Sequence, residues 1–331
     1  MAGVVDFEVA FPDGRLDLGS VARRAGLPLP DVLRITHSAE FPALGPGERS
    51  VDLAVEAAKA LLKRSAAAPD DITHVVYAGS GEWDVPFWSP AAHAAAELGI
   101  ANAHCFEVAN FCNAAATAIS VALDKIELGR ADVVLVLVAD RLSTMVDHDD
   151  PGSKELFNFG DAAGAVLLGR DGVSFEVLGS RMRTDPTWSH YYHGVVRDDR
   201  VVIRREPHRP GLTAAYLGHF TELTDRVLAD VGQGVGDVAW FLVNHGDRDM
   251  HRKVLGELGI PPERSVFNYD RLGHMGGVDV FIALRSLLDD RRLRPGDLLL
   301  FATSAMGFSW AVTAVRFTPP RSTGEVRSDA P

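Results

Sequence analysis

Short apolar runs alternate along the chain with longer segments of helical period. The apolar runs lie at residues 73–78, 104–109, 133–139, 164–168, 240–243, 297–302 and 311–317. Most are continuous rather than alternating, which is typical of strands buried on both faces. Segments with helical spacing lie at residues 50–63, 89–98, 114–128, 212–231, 249–258 and 278–288, and Ser50 is expected to cap the first of them. Strands that alternate with helices predict an α/β class with a central, mostly parallel sheet.

The order of these elements predicts a duplication. In the first half, the strand at 104–109 leads to Cys112, a helix, and Asp132 before the next strand. In the second half, a strand-like segment at 265–268 leads to His274, a helix, and Asp297 before a strand. Internal similarity of this kind predicts duplicated α/β halves, which we place at residues 1–170 and 171–317, followed by a flexible tail at 318–331.

Composition narrows the class of protein. The 331 residues are 47% hydrophobic and 24% charged, as in globular proteins. Thirty-three basic and 45 acidic side chains give a net charge of −12, which disfavours nucleic acid as the main partner. No apolar run approaches the roughly 18 residues of a membrane span, and the first residues lack the pattern of a secretory signal. We therefore expect a cytoplasmic protein without a membrane partner.

The chain has only two cysteines, Cys105 and Cys112. Two cysteines cannot build a disulfide framework, and their spacing is not that of a zinc site, so no metal is expected. Cys105 lies within a predicted strand and is interpreted as packing. Cys112 follows a strand and precedes an alanine-rich helix, where the helix dipole and free N–H groups stabilise a thiolate and can hold an oxyanion.

Two histidines occupy comparable junctions. His245 follows a strand in FLVNH, and His274 lies in the glycine-rich turn DRLGHMGG before a helix. Either histidine alone is more often structural. One cysteine and two histidines at such junctions form a pattern of nucleophilic catalysis.

These residues and their surroundings resemble β-ketoacyl-ACP synthase III and its relatives in the thiolase superfamily. The resemblance runs from about Asp52 to Phe317. It rests on six segments in the family's order: the nucleophile at Cys112, FGDAAGAV at 159–166, the strand ending at His245, YDRLG at 269–273, LRPGD at 293–297 and GFSW at 307–310.

The resemblance implies a thiolase fold of five α-β-α-β-α layers and a homodimer. It implies that Cys112 is the nucleophile, that His245 and His274 are catalytic, and that the backbone N–H groups of Cys112 and Met306 form the oxyanion hole. His274 stands where the family has asparagine, and Met306 stands where the family has the middle one of three glycines. In the family, the region that corresponds to Trp83, Phe87 and Trp88 lies near the acyl pocket. We therefore expect these residues, together with Phe159, to line an acyl pocket here.

The chemistry implied is transfer of an acyl group from a thioester, through an acyl-cysteine, to an oxygen, nitrogen or sulfur acceptor. No bound cofactor is needed, because the phosphopantetheine arm of an acyl carrier protein or of coenzyme A arrives with the substrate. The usual coenzyme A segments have no clear counterpart here, and residues 246–248 read Gly-Asp-Arg in place of Gln-Ala-Asn, which favours a carrier protein.

Several alternatives stay open on sequence alone. The acceptor is a small molecule or a carrier-bound group, and the setting is specialised metabolism, such as antibiotic or polyketide biosynthesis. Relatives that lack the asparagine often transfer acyl groups to heteroatoms, and a histidine can accept a proton near neutral pH where asparagine cannot. Decarboxylative condensation with a malonyl thioester, hydrolysis of the acyl-enzyme, and a non-catalytic partner subunit remain the competing hypotheses.

The two cysteines provide a direct test of the nucleophile. Incubation with a panel of acyl-CoA and acyl-carrier thioesters is expected to add one acyl mass to the chain, since a thiolate at a helix N-terminus attacks thioesters. Intact-protein mass spectrometry should show the adduct lost in Cys112→Ala and retained in the matched control Cys105→Ala. Equal labelling of Cys112→Ala would exclude Cys112 as the nucleophile.

Overall fold

The computed structural model describes residues 2–319 of the chain. Its strands are β1 (Gly3–Ala10), β2 (Arg15–Asp17), β3 (Glu40–Pro42), β4 (Ile72–Gly79), β5 (His104–Ala109), β6 (Val133–Ala139), β7 (Ala163–Gly169), β8 (Phe175–Thr184), β9 (Tyr192–Arg197), β10 (Arg200–Arg205), β11 (Val238–Val243), β12 (Leu298–Ala305) and β13 (Ser309–Phe317). All seven apolar runs named above coincide with strands, because a run buried on both faces needs a sheet between two layers.

The α-helices are α1 (Leu18–Arg24), α2 (Leu29–Thr36), α3 (Ser50–Arg64), α4 (Pro90–Glu97), α5 (Ala114–Glu127), α6 (Leu212–Asp230), α7 (Arg248–Leu258) and α8 (Asp279–Asp289). The six predicted helices correspond to α3–α8. The sequence patterns missed α1, α2, strands β1–β3 and β8, and the β9–β10 hairpin, which are short or only partly buried.

Nine strands form one sheet in the order β11-β12-β13-β8-β1-β7-β6-β4-β5. Only β4–β5, β4–β6 and β11–β12 pair in parallel, and the other neighbours are antiparallel. The prediction of a mostly parallel sheet was therefore wrong, because apolar runs report burial on both faces and not strand direction. The two halves of the sheet join only where Gly3 and Val4 of β1 pair with Glu176 and Phe175 of β8.

Three apolar clusters show that the elements stack in five layers. Helices α3 and α4 cover one face of the β1-β7-β6-β4-β5 half. Helices α5 and α8 share a cluster with residues of both halves, so they lie between them. Helices α6 and α7 cover the outer face of the β8-β13-β12-β11 half. The predicted α/β fold with five α-β-α-β-α layers is confirmed.

The central layer brings the two repeated junctions together. Cys112 lies in a 3-10 turn directly before α5, and His274 lies two residues before the 3-10 turn Gly276–Val278 that leads into α8. A Cβ atom on Gly277 would meet the Ala115 Cβ at 3.3 Å and the Cys112 carbonyl oxygen at 3.4 Å. Glycine at this position therefore permits the close approach of the two helix starts.

Two local expectations were wrong. Residues 265–268 form no strand, and Ser265 instead donates a hydrogen bond from its hydroxyl to the carbonyl of Phe241. Ser50 does not cap α3 but is its first residue. The cap comes from a distant loop, since the Asp84 carboxylate accepts hydrogen bonds from the backbone N–H groups of Ser50 and Val51. Sequence spacing could not reveal a cap supplied from 33 residues away.

The ends of the described region add little to the site. Thr318, the first residue of the predicted tail, donates its N–H to the Ser174 carbonyl at 2.8 Å. Residues 320–331 lie outside the described residues. Within residues 2–319, no helix combines the length and the apolar character needed to cross a lipid bilayer.

The central helices should dominate stability. Leu284 of α8 is fully buried between the half-sheets, whereas Leu128 at the end of α5 is 66% exposed. Leu284→Ala is expected to lower the free energy of unfolding by roughly 2–5 kcal/mol, because it removes buried methyl groups and leaves a cavity. The same change at Leu128 should cost less than about 0.5 kcal/mol. Denaturant titration of both variants measures the difference, and equal losses would contradict the layer assignment.

Candidate active site

The structure places one of the two histidines against the cysteine. The Sγ atom of Cys112 lies 3.1 Å from Nε2 of His274, although 162 residues separate them. Both side chains are buried, with 5% of Cys112 and 3% of His274 exposed. The geometry is that of a thiol and an imidazole sharing a proton, which is how a neighbouring base activates a cysteine.

A third residue orients the imidazole. Nδ1 of His274 lies 2.6 Å from Oδ2 of Asp279, the first residue of α8. Since a carboxylate only accepts, Nδ1 donates to Asp279, and Nε2 is left to face the thiol. Cys112, His274 and Asp279 therefore form a buried Cys-His-Asp triad.

The backbone at His274 is also fixed by a contact with another segment. Its N–H donates to the Asn158 carbonyl at 2.7 Å. A Cβ atom on the preceding Gly273 would lie 2.1 Å from that same carbonyl oxygen. The glycine before His274 is thus required by a close approach of two backbones, and it fixes where the imidazole starts.

Charges within the triad shift the pKa values of His274 and Asp279 in the direction opposite to the effect of burial. Burial alone would lower the pKa of His274, but the Cys112 and Asp279 charges and their hydrogen bonds raise it well above the ordinary value of 6.5. Burial alone would raise the pKa of Asp279, but the His274 and His245 rings hold it well below its ordinary value. The triad therefore favours a protonated His274 ring beside an ionised Asp279 carboxylate.

His245 lies on the far side of Asp279. Its backbone N–H donates to Oδ2 of Asp279 at 2.6 Å, and its Nδ1 is 3.9 Å from Oδ1. Its Nε2 lies 3.2 Å from the Val266 carbonyl, to which it must donate. The His245 ring therefore contacts the carboxylate and not the thiol, so the structure brings together Cys112 and His274 but leaves His245 behind them.

The two N–H groups predicted to hold the oxyanion are not engaged in hydrogen bonds within residues 2–319. Within residues 2–319, the backbone N–H groups of Cys112 and Met306 have no hydrogen-bond acceptor. Met306 is partly exposed in the turn between β12 and β13 and lines the same cavity as Cys112. Two free donors beside one thiol are compatible with an oxyanion hole, and the assignment of Met306 stays a prediction.

An open cavity of about 820 Å³ is lined by Cys112 and His274. Much of its wall is aromatic, formed by Phe159, Tyr191, Tyr192, Tyr216 and Phe308. The rings of Tyr192 and Phe308 stack at a centroid distance of 6.1 Å. Burial raises the pKa of Tyr216 to about 12, so its hydroxyl stays a hydrogen-bond donor at neutral pH. Aromatic rings and phenol groups therefore line the same cavity as the thiol.

The predicted acyl pocket is only partly reproduced in the single chain. Phe159 lines the cavity, with its ring 5.2 Å from that of His274. Trp83 instead packs edge-on against Tyr77 in the cluster beneath α3 and α4, and Trp88 belongs to the same cluster. Phe87 is fully exposed. In the single chain, Trp83 and Trp88 therefore pack with the cluster beneath α3 and α4, and the assignment of Trp83, Phe87 and Trp88 to an acyl pocket stays a prediction.

Asp279 was missed by the sequence analysis. A signal was present, since Asp279 is a single acid within the apolar segment VDVFIAL at the start of a predicted buried helix. An ionised side chain at a buried position needs a partner, and His274 lies five residues earlier. In residues 2–319 no group of three or more histidine, cysteine, aspartate or glutamate side chains is arranged to hold a metal ion.

Two family models match the segments that carry these residues. The model of 3-oxoacyl-[acyl-carrier-protein] synthase III matches residues 106–186, which include Cys112. The model of the C-terminal part of the same family matches residues 228–317, which include His245 and His274. Together the two models match just over half of the chain.

Individual relatives cover most of the chain. A β-ketoacyl-[acyl-carrier-protein] synthase III of Rhizorhabdus wittichii is 29% identical over 276 residues, covering 82% of this chain and 86% of its own. A 3-oxopimeloyl-[acyl-carrier-protein] synthase of Rhodothermus marinus is 29% identical over 330 residues, covering 96% and 94%. The crystal structure of 3-oxoacyl-[acyl-carrier-protein] synthase III from Aquifex aeolicus superposes with a TM-score of 0.85 at 22% identity, covering 96% of this chain and 100% of that one.

The triad predicts that Asp279 controls the charge of His274. In Asp279→Asn, the pKa of His274 should fall toward its ordinary value, because an anion that raises it is gone. At pH 7 the imidazolium that stabilises the Cys112 thiolate would then be depleted, so alkylation by iodoacetamide should slow about 10-fold or more.

Nuclear magnetic resonance of labelled histidine rings measures the titration, and intact-protein mass spectrometry measures alkylation. Asp289→Asn, at the exposed end of the same helix, is the control and should change neither. An unchanged His274 titration in Asp279→Asn would rule out the triad.

Proposed function

The chain belongs to the thiolase superfamily as a β-ketoacyl-[acyl-carrier-protein] synthase III-like acyltransferase, and we propose that it moves an acyl group from a carrier thioester to a heteroatom acceptor. The acyl group passes through a thioester on Cys112. The Cys112–His274–Asp279 triad is the observation that carries this proposal, with contacts of 3.1 Å and 2.6 Å along its length. The donor is an acyl carrier protein, in keeping with the names of the relatives.

In the first half-reaction, the Cys112 thiolate attacks the thioester carbonyl and forms a new carbon–sulfur bond. The N–H groups of Cys112 and Met306 hold the oxyanion of the tetrahedral intermediate. The bond to the carrier sulfur then breaks, and the departing thiolate takes the proton from Nε2 of His274. The products are an acyl-cysteine, a carrier thiol and a neutral His274.

In the second half-reaction, the neutral Nε2 of His274 takes the proton of an acceptor O–H, N–H or S–H while the heteroatom attacks the acyl-cysteine carbonyl. Collapse of the intermediate releases the Cys112 thiolate beside a newly formed imidazolium. The starting ion pair is thereby restored, and no group outside the triad has to supply or remove a proton. An asparagine in place of His274 has no site for this proton.

Asp279 and His245 act as positioning residues in this scheme. Asp279 keeps Nδ1 of His274 protonated and compensates the imidazolium charge. The N–H of His245 and the N–H of Met275 hold the Asp279 carboxylate at 2.6 Å and 2.9 Å. His245 thus contributes through Asp279 and not by contact with the thiol.

The biological setting is proposed from the departures at three family positions. These are His274, Met306 and residues 246–248, all of which line the cavity or the triad. Changes at the reacting groups themselves favour a transferase of specialised metabolism. Homodimerisation stays part of the proposal and rests on the family resemblance.

Decarboxylative condensation is the second candidate, favoured by the relatives, which are named as synthases of β-ketoacyl and 3-oxopimeloyl carriers. In that reaction the acceptor is a malonyl thioester, and its loss of carbon dioxide generates the carbon nucleophile. His274 as an imidazolium would stabilise the enolate oxygen. The two candidates therefore share the acyl-cysteine and differ in the acceptor.

Carbon dioxide release separates the two candidates. The acylated chain, mixed with a carboxyl-labelled malonyl carrier, is expected to release no labelled carbon dioxide, and to transfer its acyl group to an alcohol or amine acceptor. His274→Asn should reduce that transfer at least about 100-fold, because general base catalysis contributes 10²–10⁴-fold.

The control is His190→Asn, an exposed histidine outside the cavity wall, which should retain transfer. Release of carbon dioxide in step with consumption of the acyl-enzyme would replace the proposal by condensation. Full heteroatom transfer by His274→Asn would remove His274 as the base.

A further inference from the structure

The cavity beside Cys112 and His274 is lined by an arginine that has no counter-charge among residues 2–319. Three arginines line it: Arg34, Arg205 and Arg248. Arg34 pairs with Asp31 at 3.1 Å, and Arg205 pairs with Glu155. Within residues 2–319, no carboxylate lies within ion-pair distance of Arg248.

Arg248 also carries an unused buried donor. Its Nε atom is inaccessible to solvent and has no hydrogen-bond partner in the described part of the chain. Buried polar groups in folded proteins are almost always hydrogen-bonded, and those of charged groups are costly to leave unpaired. The two Nη groups of Arg248 have no hydrogen-bond partner among residues 2–319 either, and unlike Nε they are accessible to solvent, so they are the donors that a ligand in the cavity can meet.

The neighbouring acids do not supply that partner. Asp247 precedes Arg248, but its carboxylate accepts the N–H of Met250 at 2.7 Å and thereby caps α7. Asp249 is the next residue along the helix, and adjacent helix residues do not face each other. His37, on the same wall, has a pKa lowered by burial and by the Arg248 charge, so it adds no second cation at neutral pH.

We propose that Arg248 forms an anion-binding subsite in the cavity, which takes an anionic oxygen group of the thioester substrate delivered to Cys112. A guanidinium presents a planar fork of donors that matches a phosphate or a carboxylate. Two parts of a thioester substrate carry such a group: the phosphate of the phosphopantetheine arm, and a carboxylate at the end of a dicarboxylic acyl chain. The inference rests on the proposed function, because it assumes that a thioester enters this cavity.

Its position in the sequence makes the subsite specific to this chain. Arg248 stands third after His245, where the family resemblance places asparagine. The carbonyl of Gly246 accepts a hydrogen bond from the Asn158 side chain at 2.7 Å, which ties the loop before Arg248 to the segment that carries Phe159. The guanidinium is therefore presented from a loop anchored to the cavity wall.

Binding measured without chemistry tests the subsite. In a Cys112→Ala background, calorimetry compares two matched pairs of probes: 4′-phosphopantetheine against pantetheine, and S-malonyl-pantetheine against its uncharged isostere S-acetoacetyl-pantetheine. Arg248→Met is expected to weaken binding of the anionic member of one pair about 10- to 100-fold, as for a lost charged hydrogen bond, and to leave its neutral partner unchanged.

The control is Arg226→Met, which removes the same charge from the exposed face of α6 and should not alter binding of any probe. Loss confined to the phosphate pair assigns the subsite to the carrier arm, and loss confined to the malonyl pair assigns it to the acyl chain. Equal weakening of charged and neutral probes, or no weakening in a variant that unfolds at the same temperature, would overturn the proposal.

Failure of the proposed function is distinguishable from failure of this subsite. The binding measurements use a chain that lacks the nucleophile, so they do not depend on acyl transfer. Anion-specific binding that persists while the intact chain takes no acyl label would refute the transferase and keep the subsite.

Discussion

A single buried carboxylate organises the active site. Asp279 is 1% exposed, yet it stays ionised because it accepts hydrogen bonds from the His274 ring and from the N–H groups of His245 and Met275. Burial of a charge is tolerated only when its partners are fixed. Each partner belongs to the turn or strand end that the fold places around the start of α8. The position of Asp279 sets the orientation of the His274 ring, and the His274 ring in turn contacts the Cys112 thiol.

The five-layer fold explains why these residues meet. Duplicated halves place two helices side by side in the central layer, and each helix begins at a reactive residue or just after one. Gly277 lets the two helix starts approach, and Gly273 lets the His274 turn pack against the Asn158 carbonyl. The site therefore lies at the seam of the two halves, where a cavity remains on the side of α6 and α7. Tyr191, Tyr192 and Phe308 of the second half form part of its wall.

Replacing an amide by an imidazole changes what the site can do with protons. In the proposed cycle, His274 takes up and returns one proton, so an O–H or N–H acceptor is activated without an external base. The relatives named as synthases share the nucleophile region and the overall fold. Arg248 adds a positive charge to the cavity wall that no carboxylate of residues 2–319 pairs with, and in the proposed subsite it binds an anionic group of the substrate.

Local residue patterns predicted seven strands and six helices, the duplication, and the junctions at which Cys112 and His274 lie, because burial and helical period are visible in the order of residues. It did not determine strand direction, the cap of α3 by Asp84, or the packing of Trp83 and Trp88. The packing of the two halves was needed to show that His274 and not His245 faces the thiol and that Asp279 completes the triad. It was also needed to show that Arg248 has no partner among residues 2–319. The 3.1 Å contact between Cys112 and His274 joins residues 162 positions apart. It depends on how the two halves pack, and no local pattern encodes that distance.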